Sequence, residues 1–292
     1  MTYHSGSRAV QDRVGVRDLA DHVGQAVGQG IRPVAAAFLE QQPMLVAGAA
    51  DPATGEVWAS LLTGPPGFVR ATGVRQISVT GVPAEGDPLA AALATEGTLV
   101  GTIALDPRTR RRMRLNGRSR PTARGFAVEA DRVFANCPKY LQRRESYETV
   151  ERRPGEARRS GRLSPRQRAL VEAADTFFLA TVHAHGADAS HRGGNPGFVH
   201  ADGPSELHWR DYPGNSMFLT LGNLETDPRA GLLFLDWTSG TVLRLTGTAR
   251  AEYAPDGERT VRFTVTGVVE TPAGSPLRWS APEYSPANPS LP

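Results

Sequence analysis

The pattern of apolar and polar positions divides the chain into a helical beginning followed by two stretches of short strands. Between residues 8 and 40, apolar side chains recur at spacings compatible with helices, and the pattern continues after Pro33. From residue 44, short apolar or alternating runs lie between Gly, Pro and Asp turns, which is typical of strands. The predicted strands of this first stretch are 44–49, 57–62, 77–79, 99–105, 112–116 and 126–134, with a short helix over 87–95.

The second stretch repeats this order after a polar segment. Residues 141–162 have few apolar side chains and predict a linker that is partly helical. Ser164 and Pro165 then favour a helix start, because Ser caps a helix and Pro suits its first turn. The strands predicted next are 177–183, 189–192, 207–209, 230–235, 241–250 and 261–269, with a short helix over 216–224 and an extended tail from 272.

The two stretches are copies of one domain. When the sequence is shifted by 130 residues, 58–120 lies over 188–250 without a gap, and 18 of these 63 positions are identical. A duplicated fold in one chain predicts an internal pseudo-dimer. The predicted divisions are a helical segment 1–40, a first domain 41–140, a linker 141–163, a second domain 164–272 and a tail 273–292. Short strands and few helices favour paired small β-barrels.

Composition places the chain among ordinary globular proteins. Its 292 residues are 39% hydrophobic and 22% charged, and its apolar runs are far shorter than a membrane span. The beginning of the sequence lacks the order of a signal peptide, and Cys137 is the one cysteine, so we expect a cytoplasmic protein without membrane association. Arginines cluster between 108 and 159, but no nucleic-acid-binding motif accompanies them, and we predict no nucleic-acid partner.

The segment with the clearest candidate chemistry is 190–198 in the second copy. A strand ends there with Ser190, His191 and Arg192, and Gly193 and Gly194 follow. The planar guanidinium group of arginine can donate two parallel hydrogen bonds to a phosphate, and glycines permit close approach of a ligand to the backbone. An ordinary β-turn with a surface arginine is the alternative. In the first copy Leu61 and Leu62 replace the histidine and the arginine, so this polar chemistry is absent there.

A second candidate segment is 210–224. A Pro-Gly-Asn turn at a predicted helix start offers backbone N–H groups and the side chain of Asn215 to an anion or heterocycle, although simple helix capping would explain it too. The corresponding segment 80–87 of the first copy is acidic and would repel a phosphate.

The first copy holds the cations instead. It carries Arg110 and Arg111 just before one predicted strand and Arg112 and Arg114 on it, and Asn136-Cys137-Pro138-Lys139-Tyr140 after another strand. The second copy has no comparable group at the matching positions, apart from Arg244. Loops of the second copy that face these cations would complete one site. We therefore predict one composite site per chain and one vestigial site, formed by Leu61, Leu62 and Glu85.

These residues resemble the pyridoxamine 5'-phosphate oxidase-like, FMN-binding split-barrel family. The resemblance rests on 190–199, the turn 213–215 with 221–223, the strands 231–236 and 244–247, and in the first copy 58–64, 111–117 and 136–140. It implies a six-stranded split barrel per copy, a mainly β fold with flanking helices, and FMN between the barrels. The cofactor-binding residues it implies are Ser190, His191, Arg192, Gly193, Asn215, Ser216, Met217, Leu221, Asn223, Arg112, Arg114 and Lys139. The end of the chain, 277–280, resembles only loosely the substrate motif of the vitamin B6 oxidases, so we do not assign that reaction.

Other chemistries have weaker support. His183 and His185 alternate on a predicted strand, and with His191 and His200 they could hold a metal or haem. Few carboxylate or cysteine residues, which a metal site would also use, lie near them in the sequence. We expect the side chain of Cys137 to be buried and to pack in the protein interior rather than to act as a reactive thiol. No nucleophile elbow and no dinucleotide fingerprint is present.

The sequence therefore predicts an FMN-dependent oxidoreductase that carries out two-electron chemistry on a small organic molecule, with an electron donor or oxygen as co-substrate. His191 is the candidate catalytic residue. Alternatives that remain open are a non-catalytic flavin or haem carrier, a deazaflavin-dependent reductase, and a structural or interaction protein whose cofactor site no longer binds a cofactor. A homodimer is allowed but not required.

Overall fold

A computed structural model describes residues 3–135 and 137–290. Its helices are α1 Ser5–Val14, α2 Arg17–Gly24, α3 Pro33–Glu40, α4 Ala90–Ala94, α5 Pro165–Ala173 and α6 Leu219–Thr226. The strands of the first half are β1 Met44–Ala50, β2 Val57–Thr63, β3 Val69–Gly73, β4 Gln76–Thr80, β5 Leu99–Asp106, β6 Arg111–Thr122 and β7 Gly125–Ala135. Between the halves are β8 Arg143–Arg144, β9 Tyr147–Thr149 and β10 Arg158–Ser160. The second half has β11 Thr176–His183, β12 Gly186–Gly193, β13 Val199–Ala201, β14 Glu206–Arg210, β15 Arg229–Leu235, β16 Val242–Tyr253, β17 Arg259–Thr271, β18 Leu277–Trp279 and β19 Pro282–Glu283.

The two halves have the same topology, which confirms the duplicated split-barrel fold. The first antiparallel sheet runs β2-β1-β5-β6-β7-β4-β3, and the second runs β12-β11-β15-β16-β17-β14-β13. Each path has seven strands rather than the expected six, because β3 and β13 add an edge beside β4 and β14. These two strands are short and mostly half-buried or exposed beyond Val69 and Val199, so the sequence shows no clear alternation there.

Details of the strand pairing repeat between the copies. A β-bulge interrupts β6 and β7 between Asn116 and Gly117, and another interrupts β16 and β17 between Thr246 and Gly247. These positions are 130 residues apart, as the overlay of the sequences requires. A bulge bends and twists its strand, so the two barrels share their curvature as well as their strand order.

The barrels pack face to face through equivalent strands. β12 contacts β5 and β6, while its counterpart β2 contacts β15 and β16. Gly101 and Gly231 occupy the same position in the two copies, and each lets a strand of the other barrel approach closely. A Cβ on Gly101 would lie 2.5 Å from the backbone of Asp188, and one on Gly231 would lie 2.6 Å from the carbonyl of Val57. This buried seam is an apolar core that both copies share.

A pseudo-twofold axis passes between Gly48 and Ala180. Gly48 pairs with Ala59 across β1 and β2, and Ala180 pairs with Ala189 across β11 and β12, so the two are equivalent by register. A Cβ on Gly48 would lie 2.6 Å from the Cβ of Ala180. Residues that meet their own counterpart lie at a twofold axis. Sites on either side of this axis are therefore related in origin.

The N-terminal helices contact both barrels. α1 packs on α6 of the second copy, where Gln11 donates a hydrogen bond to the Met217 carbonyl (2.9 Å). α3 packs against β3 of the first copy. Within residues 3–135 and 137–290, no helix is long and apolar enough to cross a membrane.

The segment between the barrels is extended, which corrects the expectation of partial helix. β10 joins the edge of β17, whereas β8 and β9 pair with β19 and β18 of the tail. Arg144 is buried and pairs with Asp175 at 2.6 Å, and its guanidinium lies over the ring of Trp237. A buried ion pair is favourable only when neighbouring groups satisfy its remaining hydrogen-bonding capacity. The polar character of the linker thus reflects pairing with the tail and the second barrel.

Candidate functional site

A cleft lies at one side of the pseudo-twofold axis, where both copies contribute residues. Its walls are the end of β12, the loop before α6, the start of β6 and the segment after β7. Predicted site residues that line it are Arg112, Arg114, Lys139, His191, Arg192, Gly193, Asn215, Ser216 and Leu221. The fold thus brings together cations of the first copy and loops of the second.

Three predicted residues lie elsewhere. The Ser190 hydroxyl is fully buried behind the cleft and donates to the Leu179 carbonyl (3.2 Å). Met217 packs in a small apolar cluster with Tyr3 and Phe134. Asn223 is held between the Thr181 hydroxyl (2.9 Å) and the ring of His4 (3.0 Å), so it fixes the beginning of α1 on the second barrel. A sequence motif can predict that a residue lies near a loop. It cannot predict whether the side chain faces the cleft.

A buried polar network that the sequence did not reveal supports the cleft. The carboxylate of Asp188 accepts hydrogen bonds from Arg114 (3.1 Å), Asn116 (3.0 Å) and Thr220 (3.2 Å). Thr220 also contacts the Ser190 hydroxyl at 3.3 Å. Asp188 aligns with Trp58 of the first copy, and this difference was the available signal. The network fixes the guanidinium of Arg114 at the cleft.

Arg112 is a half-buried cation without a carboxylate partner in the described parts of the chain. Its guanidinium donates to His191 Nδ1 and to the Cys137 carbonyl, both at 2.6 Å. Burial, together with Arg114 and Arg192 nearby, lowers the pKa of Arg112 to about 9. A partly desolvated charge without a counter-ion is unfavourable, so this site is suited to receive an anion.

His191 is neutral and carries its proton on Nε2. Burial, reinforced by Arg112, Arg192 and Arg114, lowers the pKa of His191 well below its ordinary value. Because Arg112 donates to Nδ1, that nitrogen must be the acceptor, and we assign the proton to Nε2. Nε2 is buried and has no hydrogen-bond partner among the described residues. His191 is therefore placed to donate a hydrogen bond to a ligand.

Acidification is expected to destabilise the cofactor-free protein through His191. Its folded pKa lies well below its ordinary value, so below about pH 6.5 the unfolded chain binds a proton that the folded chain does not. The stabilising contribution is fully present above this pH and falls by up to about 1.4 kcal/mol per pH unit below it. Urea unfolding between pH 7.5 and 5 should show a flatter profile for His191→Gln. His200→Gln, at an exposed position, is the control, and an equal slope in both variants would contradict the assignment.

The glycines after Arg192 also permit close approach of other parts of the protein. A Cβ on Gly193 would lie 2.0 Å from the carbonyl oxygen of Tyr140 in the first copy, and one on Gly194 would lie 2.6 Å from the Phe198 ring. The first copy has Thr63 at the position of Gly193, so that glycine is specific to this side of the axis. It allows the segment 137–140 to reach the cleft.

The loop before α6 has an unusual backbone. Ser216 and Phe218 adopt left-handed conformations (φ 59° and 52°), and α6 begins at Leu219, three residues later than predicted. Asn215 accepts a hydrogen bond from the Met217 N–H (3.2 Å), and the Tyr140 hydroxyl donates to the Pro213 carbonyl (3.1 Å). Non-glycine residues in this conformation are strained and occur often at ligand sites.

The cleft is strongly cationic. Its charged lining residues are Arg112, Arg114, Lys139, Arg192, Arg210 and the single acid Asp211. The carboxylate of Asp211 lies 3.1 Å from the guanidinium of Arg259 and 3.6 Å from that of Arg192, so it pairs with both arginines. Tyr140 and Tyr212 add an aromatic pair with ring centroids 5.1 Å apart. Cations beside aromatic walls suit a planar molecule that carries an anionic group.

The pseudo-symmetric location is closed by the protein itself. Leu61 and Leu62 are buried there. Arg244, the counterpart of Arg114, pairs with Asp87 at 2.8 Å, and the hydroxyl of Ser60 donates to the same carboxylate at 2.5 Å. The sequence predicted that few cations face this side. Arg244 does face it, and an internal carboxylate neutralises it.

The remaining candidates are placed differently from their predictions. β11 ends at His183, and His185 is exposed in the following turn, so the two do not share a strand face. His183 stacks on His4 with centroids 4.4 Å apart, and burial lowers the pKa of His183 to about 4. Cys137 is exposed at the cleft rather than buried, and Asn136 lies outside the described residues. The described residues contain no cluster of three His, Cys, Asp or Glu able to hold a metal.

A comparison with protein-family models matches the second barrel. Residues 163–277 match the family model described as pyridoxamine 5'-phosphate oxidase. No curated protein matches the sequence significantly. Among solved structures, HupZ from Group A Streptococcus is 14% identical, with 35% of this chain and 89% of that chain covered and a TM-score of 0.29. A Clostridium acetobutylicum protein related to general stress protein 26, of the pyridoxinephosphate oxidase family, is 16% identical, with 34% and 82% covered and a TM-score of 0.26.

A nimc/nima family protein from Clostridium acetobutylicum is likewise 16% identical, with 38% of this chain and 94% of that chain covered and a TM-score of 0.29. These likenesses are too low to carry an argument about function. The family match, in contrast, covers the second barrel from just before α5 to the start of β18. The second barrel of this chain is therefore similar to the pyridoxamine 5'-phosphate oxidase family.

Proposed function

We propose that the protein is an FMN-dependent oxidoreductase that binds one FMN in the composite cleft and acts on a small organic molecule. The observation that carries this proposal is Arg112, a half-buried cation at the cleft with a buried, unpartnered Nε and no carboxylate partner in the described chain. The match of residues 163–277 to the pyridoxamine 5'-phosphate oxidase family model, a family that typically binds FMN, supports the choice of ligand. Arg192, Lys139 and Arg114 are proposed to join Arg112 in holding the cofactor.

The residues present fit this cofactor. Five cations and one acid favour a phosphate, while Tyr140, Tyr212 and Leu221 offer surfaces for a flat ring. The cleft has a volume of about 110 Å³, which is smaller than most small-molecule pockets, so much of FMN would extend out of it. The buried Nε2 of His191 and the buried Nε atoms of Arg112 and Arg192 lack partners among the described residues and are free to meet ligand oxygens.

Bound FMN would supply two-electron transfer, with an electron donor or oxygen as the second reactant. Arg112 and Arg114 would stabilise negative charge that develops in the cleft, because fixed cations act strongly where water is excluded. Neutral His191 is proposed to orient the ring or the substrate through its Nε2–H. Its lowered pKa argues against a role as imidazolium acid.

The first experiment is an absorption spectrum of the purified protein, followed by mass identification of the released cofactor. About one FMN per chain would support the proposal. About two would mean that the side closed by Asp87 also binds. A Soret band would favour haem, a deazaflavin mass would favour the related reductases, and a colourless protein that takes up no added FMN would leave a dead scaffold.

Arg192→Ala is expected to weaken FMN binding about 10–100-fold, because a charge-assisted hydrogen bond to phosphate contributes about 1.5–3 kcal/mol. Its counterpart Leu62 is buried in the first barrel, so Leu62→Ala should lower stability but leave FMN affinity unchanged in the folded protein. Fluorescence titration with FMN at a temperature where both variants are folded measures the difference. Equal loss of affinity in the two would contradict a single site.

A further inference from the structure

A second cavity, of about 470 Å³, adjoins the cofactor cleft on the side of the first copy. It lies between the chain from α2 to α3 and the start of β6 with the end of β7. Its apolar lining includes the buried side chains of Phe38, Met113, Val133 and Phe134. The volume lies within the range of small-molecule pockets.

The charge of this cavity is one-sided. Arg32, Arg110, Arg111 and Arg112 line it, and no Asp or Glu does so. Arg110 is paired with Glu283 at 3.1 Å. The other three make no ion pair within the described chain, and the guanidinium of Arg111 lies 5.1 Å from the centre of the Phe38 ring. An apolar interior with uncompensated arginines at its edge is complementary to an anion with an apolar body.

The cavity is continuous with the cofactor cleft through shared residues. Arg112 lines both, and Cys137 and Pro138, adjacent in sequence, line one each. The second copy offers no equivalent, because Thr241 and Val242 replace Arg111 and Arg112 and are buried. A ligand here would therefore lie beside the one open cofactor site and not beside the closed one.

We propose that this cavity binds a small molecule with an apolar aromatic or aliphatic body and a carboxylate, held by Arg111 and Arg112. That this molecule is the substrate of the cofactor rests on the proposed function. Arginine prefers carboxylate because its fork can donate two parallel hydrogen bonds, and Phe38, Met113 and Phe134 cover the apolar body. The arginine-rich stretch that carries no nucleic-acid motif thus has a role in a pocket.

The test uses 8-anilinonaphthalene-1-sulfonate, an apolar anion that fluoresces in apolar sites, with the full chain both free of FMN and loaded with it. We expect saturable binding of about one probe per chain. Octanoate and 2-naphthoate should displace it at least about ten-fold better than octanol and 2-naphthol, which have the same frames without the charge. Comparison of octanoate with 2-naphthoate shows whether the cavity prefers an aliphatic or an aromatic ligand. Equal displacement by acids and alcohols would overturn the proposal.

Two variants locate the binding. Ala35 is half-buried at the cavity, and Ala35→Trp should fill it and weaken probe and octanoate binding about ten-fold or more. Arg111→Ala should weaken octanoate, but not octanol, by about ten-fold. Val82→Ala, at an exposed apolar position elsewhere, is the control. Circular dichroism verifies folding, and a folded Ala35→Trp protein that binds octanoate as the parent does would overturn the proposal.

The two proposals fail separately. If the chain takes up no FMN but discriminates acids from alcohols through Arg111, the cavity stands and its assignment as the substrate site falls. If FMN binds with the expected stoichiometry but Arg111→Ala and Ala35→Trp leave displacement unchanged, the cavity proposal is overturned and the cofactor proposal stands.

Discussion

Replacement of Asp87 by alanine is expected to destabilise the protein by about 3–5 kcal/mol, which is a large share of the stability of a typical domain. Asp87 is buried in the closed pseudo-symmetric location and pairs with Arg244, whose side chain is 2% exposed. Removal of the carboxylate leaves a cation inside the interface between the barrels. A buried charge without a partner costs far more than the pair itself contributes.

Urea unfolding at neutral pH measures this effect, and two comparisons sharpen it. Glu85→Ala removes an exposed acid two residues away and should change the unfolding free energy by no more than about 0.5 kcal/mol. The double replacement Asp87→Leu with Arg244→Met removes both charges and should recover most of the loss. If Asp87→Ala unfolds at the same urea concentration as Glu85→Ala, the pair does not hold the closed side together.

The same pair explains how one duplicated site diverged into two states. Arg114 and Arg244 are equivalent, and each is buried and bound to a carboxylate. At the open side the carboxylate is Asp188 on strand β12, which lies behind the cleft and leaves room in front of it. At the closed side it is Asp87, which belongs to the loop before α4 and faces Ser60. The counter-ion of the equivalent arginine therefore comes from behind the cleft at one side and from within the pseudo-symmetric location at the other.

Much of the fold was predictable because it depends on local patterns. The repeat at 130 residues, the six main strands of each copy and the start of α5 follow from sequence alone. Two classes of feature could not be predicted. β3 and β13 lack alternation. The linker forms strands only because the tail pairs with β8 and β9 and the second barrel pairs with β10, and these partners are more than 100 positions away.

The site was predictable in its charges but not in its contacts. Sequence motifs identified Arg112, His191 and Arg192, since these residue types differ between the copies. They could not show that Asn223 faces α1, nor that Asp188 supports Arg114, because those contacts depend on how the barrels and helices pack. Side-chain direction near a loop is a tertiary property.

Gly193→Ala should displace the segment 137–140 and so weaken FMN binding about ten-fold or more, with a loss of about 1–3 kcal/mol in stability from overpacking. The added Cβ would lie 2.0 Å from the Tyr140 carbonyl, and no side-chain rotation can relieve a clash with backbone. That carbonyl also accepts a hydrogen bond from Gln142 (3.1 Å), which fixes it in place. Lys139 and the Cys137 carbonyl that orients Arg112 would move with the segment.

The matched control is Gly203→Ala, the same substitution in the same barrel at a glycine with no neighbouring atom within 4 Å of its Cβ. Fluorescence titration gives FMN affinity, and amide hydrogen exchange over 137–142 reports the displacement directly, whether or not FMN is bound. We expect faster exchange of this segment in Gly193→Ala alone, because its backbone contacts with the second barrel are lost. Slow exchange and parental FMN affinity in Gly193→Ala would mean that the first copy does not complete the site through this segment. The composite cleft would then reduce to Arg112 and Arg114 on β6, since these reach it independently of Tyr140.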